Sequence, residues 1–393
     1  MKQPEGTAVT TRPRLARRST AFAAIAVAGA LTLTACGSDD NDSGTKSNTD
    51  TPSSASGSGG SAAPAAKLDC ASGTLAAAGS SAQKNAMDEW IKRYQQKCSG
   101  TTVNYNSNGS GAGRQAFFDG QVNLAGSDSA LKDDEAPKAA AACKTGSAIN
   151  LPMVTGPIAV AYNVSGVKDL VLDAKTIAGI FNGSIKTWDA AEIKALNPSA
   201  QLPSSPIQTV HRSDKSGTTE NFTKYLKAAS GGVWTPEAAQ DWPTQDGQSA
   251  KGSEGVAGVV KQTNGAIGYM ETSFAENNSL GIAQINTGAS KPVELTPEAA
   301  GKAVAAAKIT GQGNDLKLQL DYATKAEGAY PILLVTYEIV CEKGTPADKL
   351  PLVKSFLTYT SSDEGQAILK DNGYAPLPAE IAGKVRTAVA SLS

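Results

Sequence analysis

The feature that most constrains the fold is a repeated unit of short apolar strand, turn rich in Gly and Ser, and helical segment. It occurs three times in succession, with turns at residues 79–81, 108–113 and 126–129. A fourth unit follows the apolar run at residues 206–210, whose turn at residues 211–218 leads into a segment with apolar residues at helical spacing. This alternation is typical of a parallel sheet flanked by helices. We therefore predict an α/β fold.

Two long apolar runs indicate how the chain is divided into domains. Residues 149–164 and residues 331–340 each have the composition of a long buried strand. If the first strand leaves one domain and the second returns to it, the sequence between them forms an inserted domain. The predicted discontinuous domain comprises residues 67–161 plus 332–393, and the predicted inserted domain comprises residues 162–331.

The amino-terminal segment has the features of an export signal followed by a tether. Four arginines at residues 12–18 precede an apolar run of 13 residues, which is too short for an ordinary spanning helix. Residues 1–35 are therefore predicted to be a signal peptide. The small residues before Cys36 resemble a bacterial lipobox, which implies that Cys36 becomes the lipid-bearing first residue. Residues 36–66 have almost no large apolar side chains and are predicted to be the lipid anchor and a disordered tether.

The formal charge argues against nucleic acid as a partner. Residues 1–35 hold five basic residues and one acidic residue, so their removal changes the formal charge from −1 to −5. A mildly acidic protein lacks the basic field that binds nucleic acid through counterion release. Any anion would therefore have to be bound by local geometry.

Four cysteines remain when the cysteine at the lipobox is set aside. An even number in an exported protein indicates two disulfides, and three pairings are possible. Cys70 and Cys98 each precede a predicted strand by five residues, which places them at the same edge of the sheet if those strands are parallel neighbours. We therefore favour Cys70–Cys98, which leaves Cys143–Cys341. A zinc site is not predicted, because the chain has no CxxC pair and a single His.

The turn at residues 211–218 is rich in groups that donate hydrogen bonds. Ser216 occupies the N-cap position, and the N–H groups of Gly217 and Thr218 lie at the positive end of the helix dipole. Arg212 enters from the strand and can hold two oxygens of a tetrahedral anion. These donors favour an oxyanion, most naturally phosphate. Ordinary helix capping beside a solvated Arg is the alternative explanation.

Three further turns supply polar groups of the same kind. Ser81, Ser110 and Asp128 each follow a predicted strand, and ligands of open α/β sheets collect at the carboxyl ends of strands. Because the fourth turn belongs to the inserted domain, we predict a site in the cleft between the domains. Asp128 would repel an unprotonated anion such as sulfate, whereas a proton-bearing phosphate oxygen could donate to it. A helix N-cap is the alternative role for Asp128.

These motifs resemble those of the phosphate-binding protein of the Pst-type ABC importer, and the resemblance covers most of residues 73–380. The most specific motif is Arg212-x-Asp214-x-Ser216-Gly217-Thr218. Further segments that follow the family's pattern in order are residues 79–82, 104–113, 126–128, 242–244, 251–252 and 265–269. The family usually has Phe-Pro after its first hydroxyl residue, whereas this chain has Ala82-Gln83. Only the backbone of Ala82 is therefore expected to donate to a ligand.

The resemblance implies a two-domain periplasmic-binding-protein-like (type II) fold, with a hinge and a ligand buried in the interdomain cleft. The implied phosphate-binding residues are Ser81, Ala82, Ser110, Asp128, Arg212, Ser216, Gly217 and Thr218. Asp214 would orient the Arg. The resemblance also implies a monomeric protein, lipid-anchored on the extracytoplasmic face of the cell membrane, that delivers inorganic phosphate to the permease and ATPase subunits of an importer. No cofactor and no metal are implied.

Other functions fit these residues less well. A phosphatase would need a nucleophile with a base or a metal cluster, whereas His211 is the single His and no GxSxG motif occurs. The glycine spacing at residues 109–113 is not the GxGxxG of dinucleotide sites. Sites for sulfate or molybdate can consist of neutral donors alone, so Arg212 together with Asp128 argues against those anions. A binder of another oxyanion is the alternative to a phosphate binder, and a secreted phosphatase-like enzyme is the more remote one.

Overall fold

The computed structural model describes residues 68–393, and the predicted signal peptide, Cys36 and the tether lie outside these residues. The strands are β1 (Gly73–Gly79), β2 (Thr101–Asn106), β3 (Leu124–Ser127), β4 (Ala148–Asn163), β5 (Val171–Asp173), β6 (Gln208–Arg212), β7 (Gln248–Ala250), β8 (Ala266–Glu271), β9 (Gly281–Ile282), β10 (Gln284–Asn286), β11 (Lys308–Ile309), β12 (Leu318–Gln319) and β13 (Leu333–Cys341).

The helices are α1 (Lys84–Lys97), α2 (Ser110–Phe118), α3 (Ala136–Cys143), α4 (Ala174–Phe181), α5 (Ala191–Leu196), α6 (Gly217–Ala229), α7 (Gly252–Gln262), α8 (Thr272–Asn277), α9 (Pro297–Ala305), α10 (Leu350–Thr360), α11 (Asp363–Lys370) and α12 (Ala379–Ser391). Within residues 68–393, none of these helices has the length and apolarity that crossing a membrane requires.

The strands of the central sheet lie in the order β2-β1-β3-β13-β4-β8-β6-β7, and β9 pairs with β4. β1 is parallel to β2 and β3, with Leu75 opposite Val103, and β6 is parallel to β7 and β8. β13 is antiparallel to both β3 and β4. The predicted α/β fold is therefore confirmed, and the two long apolar strands pair with each other in antiparallel orientation.

β4 contributes to both halves of the central sheet. Its residues 148–157 pair with β13, whereas its residues 158–163 pair with β8. Apart from its two end residues the strand is buried throughout, which explains why its sequence is apolar at consecutive positions and does not alternate. The strand thus changes its neighbour between Pro157 and Ile158.

Two large apolar clusters lie on different parts of the sheet. One packs α1 against α10, α11 and α12, with Trp90 and Tyr94 fully buried in it. The other packs α4 and α6 against β8, and the ring of Phe222 stacks on that of Tyr269 at a centroid distance of 4.4 Å. The Tyr269 hydroxyl accepts the backbone N–H of Arg212 at 3.2 Å. The second cluster therefore fixes the carboxyl end of β6.

Both disulfides that the sequence analysis favours are present in the structure. Cys70–Cys98 ties the segment before β1 to the residue after α1, and Cys143–Cys341 ties the end of α3 to the end of β13. The parallel pairing of β1 and β2 brings the first two cysteines to the same edge of the sheet, which is the geometry that their spacing indicates.

The third strand differs in position from the sequence pattern. The pattern predicts a strand at residues 122–125, whereas β3 begins and ends two residues later. Gly126 pairs with Gly79 of β1 and Ser127 pairs with β13, so neighbours on both sides keep these small residues extended. Intrinsic strand propensity does not reveal such pairing. As a result, Asp128 follows the sheet directly.

Candidate functional site

The predicted site residues converge where β1, β2, β3 and β6 end. The buried members of the set are Ser81, Ala82, Ser110, Asp128, Arg212, Ser216, Gly217 and Thr218. Asp214 is partly exposed. Because buried polar groups require hydrogen-bond partners, the contacts of these residues define what the site can bind.

Asp128 is the acceptor at the centre of this arrangement. Its Oδ1 accepts hydrogen bonds from the hydroxyls of Ser80 at 2.5 Å and Thr336 at 2.8 Å, and its Oδ2 accepts one from Ser110 at 3.0 Å. Burial raises the pKa of Asp128 above its ordinary value, although these hydroxyls and the charge of Arg212 favour the ionised form. The three donors hold the carboxyl group in a single orientation.

One acceptor position of Asp128 remains for a ligand. A carboxylate offers about four lone-pair positions, and the hydroxyls use two on Oδ1 and one on Oδ2. A Cβ atom built on Gly217 would lie 2.9 Å from Oδ2, so the first turn of α6 reaches Asp128 without room for a side chain. The alternative role of Asp128 as a helix N-cap is wrong, because the next helix begins at Ala136.

Arg212 is buried and held by Asp214. Its Nε donates to Oδ1 of Asp214 at 2.8 Å and its Nη2 donates to Oδ2 at 2.5 Å, which forms a bidentate pair. Burial opposes the charge of Arg212, but the hydrogen bonds and charge of Asp214 raise the pKa of Arg212 overall. Nη1 faces the hydroxyls of Thr218 at 3.4 Å and Ser253 at 3.3 Å. The guanidinium is therefore fixed on one edge and directed into the site on the other.

The amino terminus of α6 supplies backbone donors. The Ser216 hydroxyl accepts the N–H of Thr219 at 3.2 Å, and the Ser216 carbonyl accepts that of Glu220 at 3.1 Å. Helix geometry leaves the N–H groups of Gly217 and Thr218 without acceptors inside the helix. These two groups lie at the positive end of the helix dipole, next to Asp128, and are suited to an anion.

Several predicted donors are hydrogen-bonded within the protein. The Ser110 hydroxyl donates to Asp128 and accepts the backbone N–H of Asp128 at 3.1 Å. The N–H of Ala82 donates to the Ser80 hydroxyl at 3.0 Å. The Ser81 hydroxyl accepts the N–H of Ser253 in α7 at 3.1 Å. The hydroxyl hydrogen of Ser110 must therefore turn away from Asp128 before it can reach a ligand.

Three further polar residues belong to the site, and sequence reasoning did not identify them. Thr336 lies 208 positions from its partner Asp128. Ser253 faces Arg212, and Glu271 accepts the hydroxyl of Thr218 at 2.8 Å. Thr336 and Glu271 each follow a run of apolar residues in a buried strand. A polar residue in such a run was the available signal.

Hydrogen bonds join residues of the two predicted domains around Asp128. The Asn221 side chain donates to the Asp128 carbonyl at 2.7 Å, and the Ser129 hydroxyl donates to Glu220 at 2.9 Å. A cavity of about 220 Å³ lies beside these contacts and reaches Asp128. Lys132 and Lys224 line this cavity, and their charges lower the pKa of Glu220 against the opposing effect of its burial.

The groups that meet here are suited to recognition. The ring of His211 stacks on Trp242 at a centroid distance of 5.1 Å, and its Nδ1 lies 3.0 Å from the Arg212 carbonyl, which gives it a structural role. Within residues 68–393, no three His, Cys, Asp or Glu side chains are placed to hold a metal ion. One guanidinium, two helix N–H groups and one carboxylate acceptor match an oxyanion that carries a proton.

Comparison with known proteins identifies relatives over most of the chain. Residues 64–364 match the model of the PBP superfamily domain. Phosphate-binding protein PstS 3 of Mycobacterium tuberculosis is 46% identical over 332 residues, which cover 84% of this chain and 89% of the relative. PstS 2 of the same organism is 43% identical over 323 residues, which cover 81% and 87%. The solved structure of PfluDING, a high affinity periplasmic phosphate-binding protein, has a TM-score of 0.65 at 22% identity and covers 80% and 93%. The last similarity supports the fold.

Proposed function

Because the chain belongs to the PstS family of phosphate-binding proteins, we propose that it captures inorganic phosphate at the site around Asp128 and Arg212. It is the phosphate-binding protein of a phosphate ABC importer, and it acts by binding rather than by catalysis. Its partners in this function are the permease and ATPase subunits of the importer, to which it delivers the anion.

The observation that carries the phosphate assignment is a carboxylate beside an anion site. Asp128 keeps one acceptor position next to the N–H groups of α6 and the guanidinium of Arg212. A proton on a phosphate oxygen can be donated to that position, whereas sulfate has no proton to donate. Equilibrium titration with phosphate, arsenate and sulfate tests the assignment. Phosphate and arsenate should bind, sulfate should bind far more weakly, and a protein that does not bind phosphate would contradict it.

We propose that the ligand lies between two domains, residues 67–161 plus 332–393 and residues 162–331. The change of strand partner in β4 between Pro157 and Ile158 supports a boundary close to the predicted one. The chain passes between the proposed domains within β4 and again just before β13 begins, which makes these two crossings the natural hinge. The hydrogen bonds from Asn221 and Ser129 described above would then form on closure.

Replacing Gly217 by Ala should hinder closure on the ligand. The added methyl carbon would lie 2.5 Å from Cβ of Asp128 and 2.9 Å from the Ser110 hydroxyl, both of which belong to the other domain. Overpacking of this kind costs about 1–3 kcal/mol, which corresponds to roughly 5- to 150-fold weaker phosphate binding. Calorimetric titration measures the change.

Gly258→Ala is the matched control, because Gly258 lies in α7 with no neighbouring atom within 4 Å of an added Cβ. Phosphate affinity of this variant should equal that of the wild type. Equal affinities for Gly217→Ala and Gly258→Ala would show that the first turn of α6 does not approach Asp128 in the bound state.

We also propose that Cys36 carries lipid and that residues 36–66 form the tether of an extracytoplasmic, membrane-anchored protein. Cys36→Ala should release the protein from the membrane, because the tether has almost no large apolar side chains with which to hold it. A diacyl modification provides about two chains of attachment, which is stable where one chain is marginal. Membrane fractionation is the measurement, and an Ala variant that stays firmly in the membrane would contradict the lipobox.

A further inference from the structure

Glu271 is a second buried carboxyl group at the proposed phosphate site. It is the last residue of β8 and is fully buried. Its Oε1 accepts the hydroxyl of Thr218 at 2.8 Å, and its Oε2 is buried without a hydrogen-bond partner among the described residues. A buried carboxylate oxygen without a donor is costly, so this arrangement needs either a proton or a change of partners.

The Thr218 hydroxyl is the link between Glu271 and a ligand. Thr218 lies in the first turn of α6, where its oxygen also faces Nη1 of Arg212 at 3.4 Å. A hydroxyl has one hydrogen, and here that hydrogen is donated to Glu271. While Glu271 is ionised, Thr218 therefore has no hydrogen to offer an anion.

The groups around Glu271 favour its neutral form when an anion binds. Burial raises the pKa of Glu271 and the charge of Asp128 raises it further. The Ser253 hydroxyl, which is near Glu271 but does not form a hydrogen bond with it, acts in the opposite direction, as do Arg212 and the Thr218 hydroxyl. Arg212 already donates two hydrogen bonds to the carboxylate of Asp214. A bound anion would add another negative charge to this buried set.

The remaining neighbours of Glu271 do not compensate its charge. The Tyr374 hydroxyl, in the segment before α12, donates to the Ala82 carbonyl at 2.7 Å and so has no hydrogen for Glu271. On the β4 side, Cγ of Glu271 lies 3.6 Å from the position of a Cβ on Gly156, next to the side chain of Leu334. Arg212 is therefore the cation that faces Glu271 among the groups packed on it from β3, β4, β6, α6 and α7.

We propose that Glu271 takes up a proton when phosphate binds, so that its carboxyl O–H forms a hydrogen bond to the Thr218 oxygen and the Thr218 hydroxyl turns and donates to the anion. The proton comes from solvent and stays on the carboxyl group, and no covalent bond to the ligand forms. Glu271 is thus a positioning residue for Thr218. This inference rests on the proposed function, because it concerns the same phosphate site.

Glu271→Gln tests the proposal, because an amide is a neutral donor of the same shape as the protonated acid. Calorimetry with inorganic phosphate, in buffers of different ionisation enthalpy at mildly alkaline pH, measures the protons taken up on binding. Phosphate's own titration contributes equally in both proteins and cancels in their difference. We expect wild type to take up as much as about one proton more than Glu271→Gln. As the pH rises, the phosphate affinity of wild type should therefore fall by up to about tenfold per pH unit relative to that of the variant.

Glu338→Gln is the matched control, because Glu338 is a second buried glutamate, on β13, and burial raises the pKa of its carboxyl group to about 7. This variant should keep the proton uptake of the wild type. Equal uptake by wild type and Glu271→Gln, or a loss of uptake in Glu338→Gln instead, would overturn the role of Glu271 while phosphate binding stands. A wild type that binds no phosphate would instead contradict the proposed function.

A measurement that does not use Glu271→Gln covers the case in which that variant does not fold. An infrared difference spectrum, phosphate-bound minus free, should show a protonated carboxyl band that grows on binding at mildly alkaline pH, and this band should persist in Glu338→Gln. A spectrum without such a band would overturn the proposal.

Discussion

Replacing Arg212 by Met should weaken phosphate binding by roughly 30- to 5,000-fold, equivalent to about 2–5 kcal/mol. The guanidinium is 2% exposed and forms two hydrogen bonds to Asp214, so its loss removes donors to the anion and leaves that carboxylate without its partner. The anion would then face the carboxyl groups of Asp128, Asp214 and Glu271 with less opposing charge. Titration calorimetry at one pH and salt concentration gives the affinity.

Arg212→Lys should lie between wild type and Arg212→Met. Lysine keeps the charge but lacks the planar fork, which costs about 1–3 kcal/mol, or roughly 5- to 150-fold in affinity. Arg386→Met is the control, because Arg386 lies in α12 and pairs with Asp363 of α11. Thermal unfolding shows whether each variant is folded. Affinity for phosphate that is equal in Arg212→Met and Arg386→Met would mean that Arg212 does not contact the anion.

Much of the site could be predicted because it is assembled from local motifs. Ser216 caps α6 by accepting the N–H of Thr219, three positions later. Arg212 pairs with Asp214, two positions later. Such contacts depend on the geometry of a single turn. The rule that ligands collect at the carboxyl ends of strands then indicated that Ser81, Ser110 and Asp128 lie near this turn.

The rest of the site depends on contacts between distant parts of the chain. Thr336 reaches Asp128 because β13 returns beside β3, and Glu271 reaches Thr218 because β8 lies next to β6. A turn motif contains no information on such pairings. The direction of the Ser110 hydroxyl was equally hidden, because it is decided by competition between a ligand and the carboxylate of Asp128.

Asp128→Asn should change the selectivity of the site more than its affinity for phosphate. The amide oxygen can still accept the hydroxyls of Ser80 and Thr336, while the amide nitrogen takes the place of Oδ2 and can donate to a ligand. Phosphate binding should weaken moderately, because the acceptor for its proton is lost but the repulsion is also removed. Sulfate should gain, because like charges in contact cost several kcal/mol and that cost disappears.

A purely structural role for Asp128 predicts a different result. Asn would weaken the hydrogen bonds from Ser80 and Thr336, because its oxygen is uncharged, and would lose the one from Ser110. The free energy of unfolding would fall, and phosphate and sulfate would be affected alike or not at all. Thermal unfolding of the free protein therefore separates a loss of stability from a change of selectivity.

The most direct test of the phosphate site is a pair of titrations, with phosphate and with sulfate, on wild type and Asp128→Asn at one pH and salt concentration. We expect wild type to prefer phosphate strongly, and the ratio of the two affinities to narrow by about tenfold or more in the variant. A ratio that is the same in both proteins would contradict the conclusion that Asp128 recognises the proton on a bound phosphate.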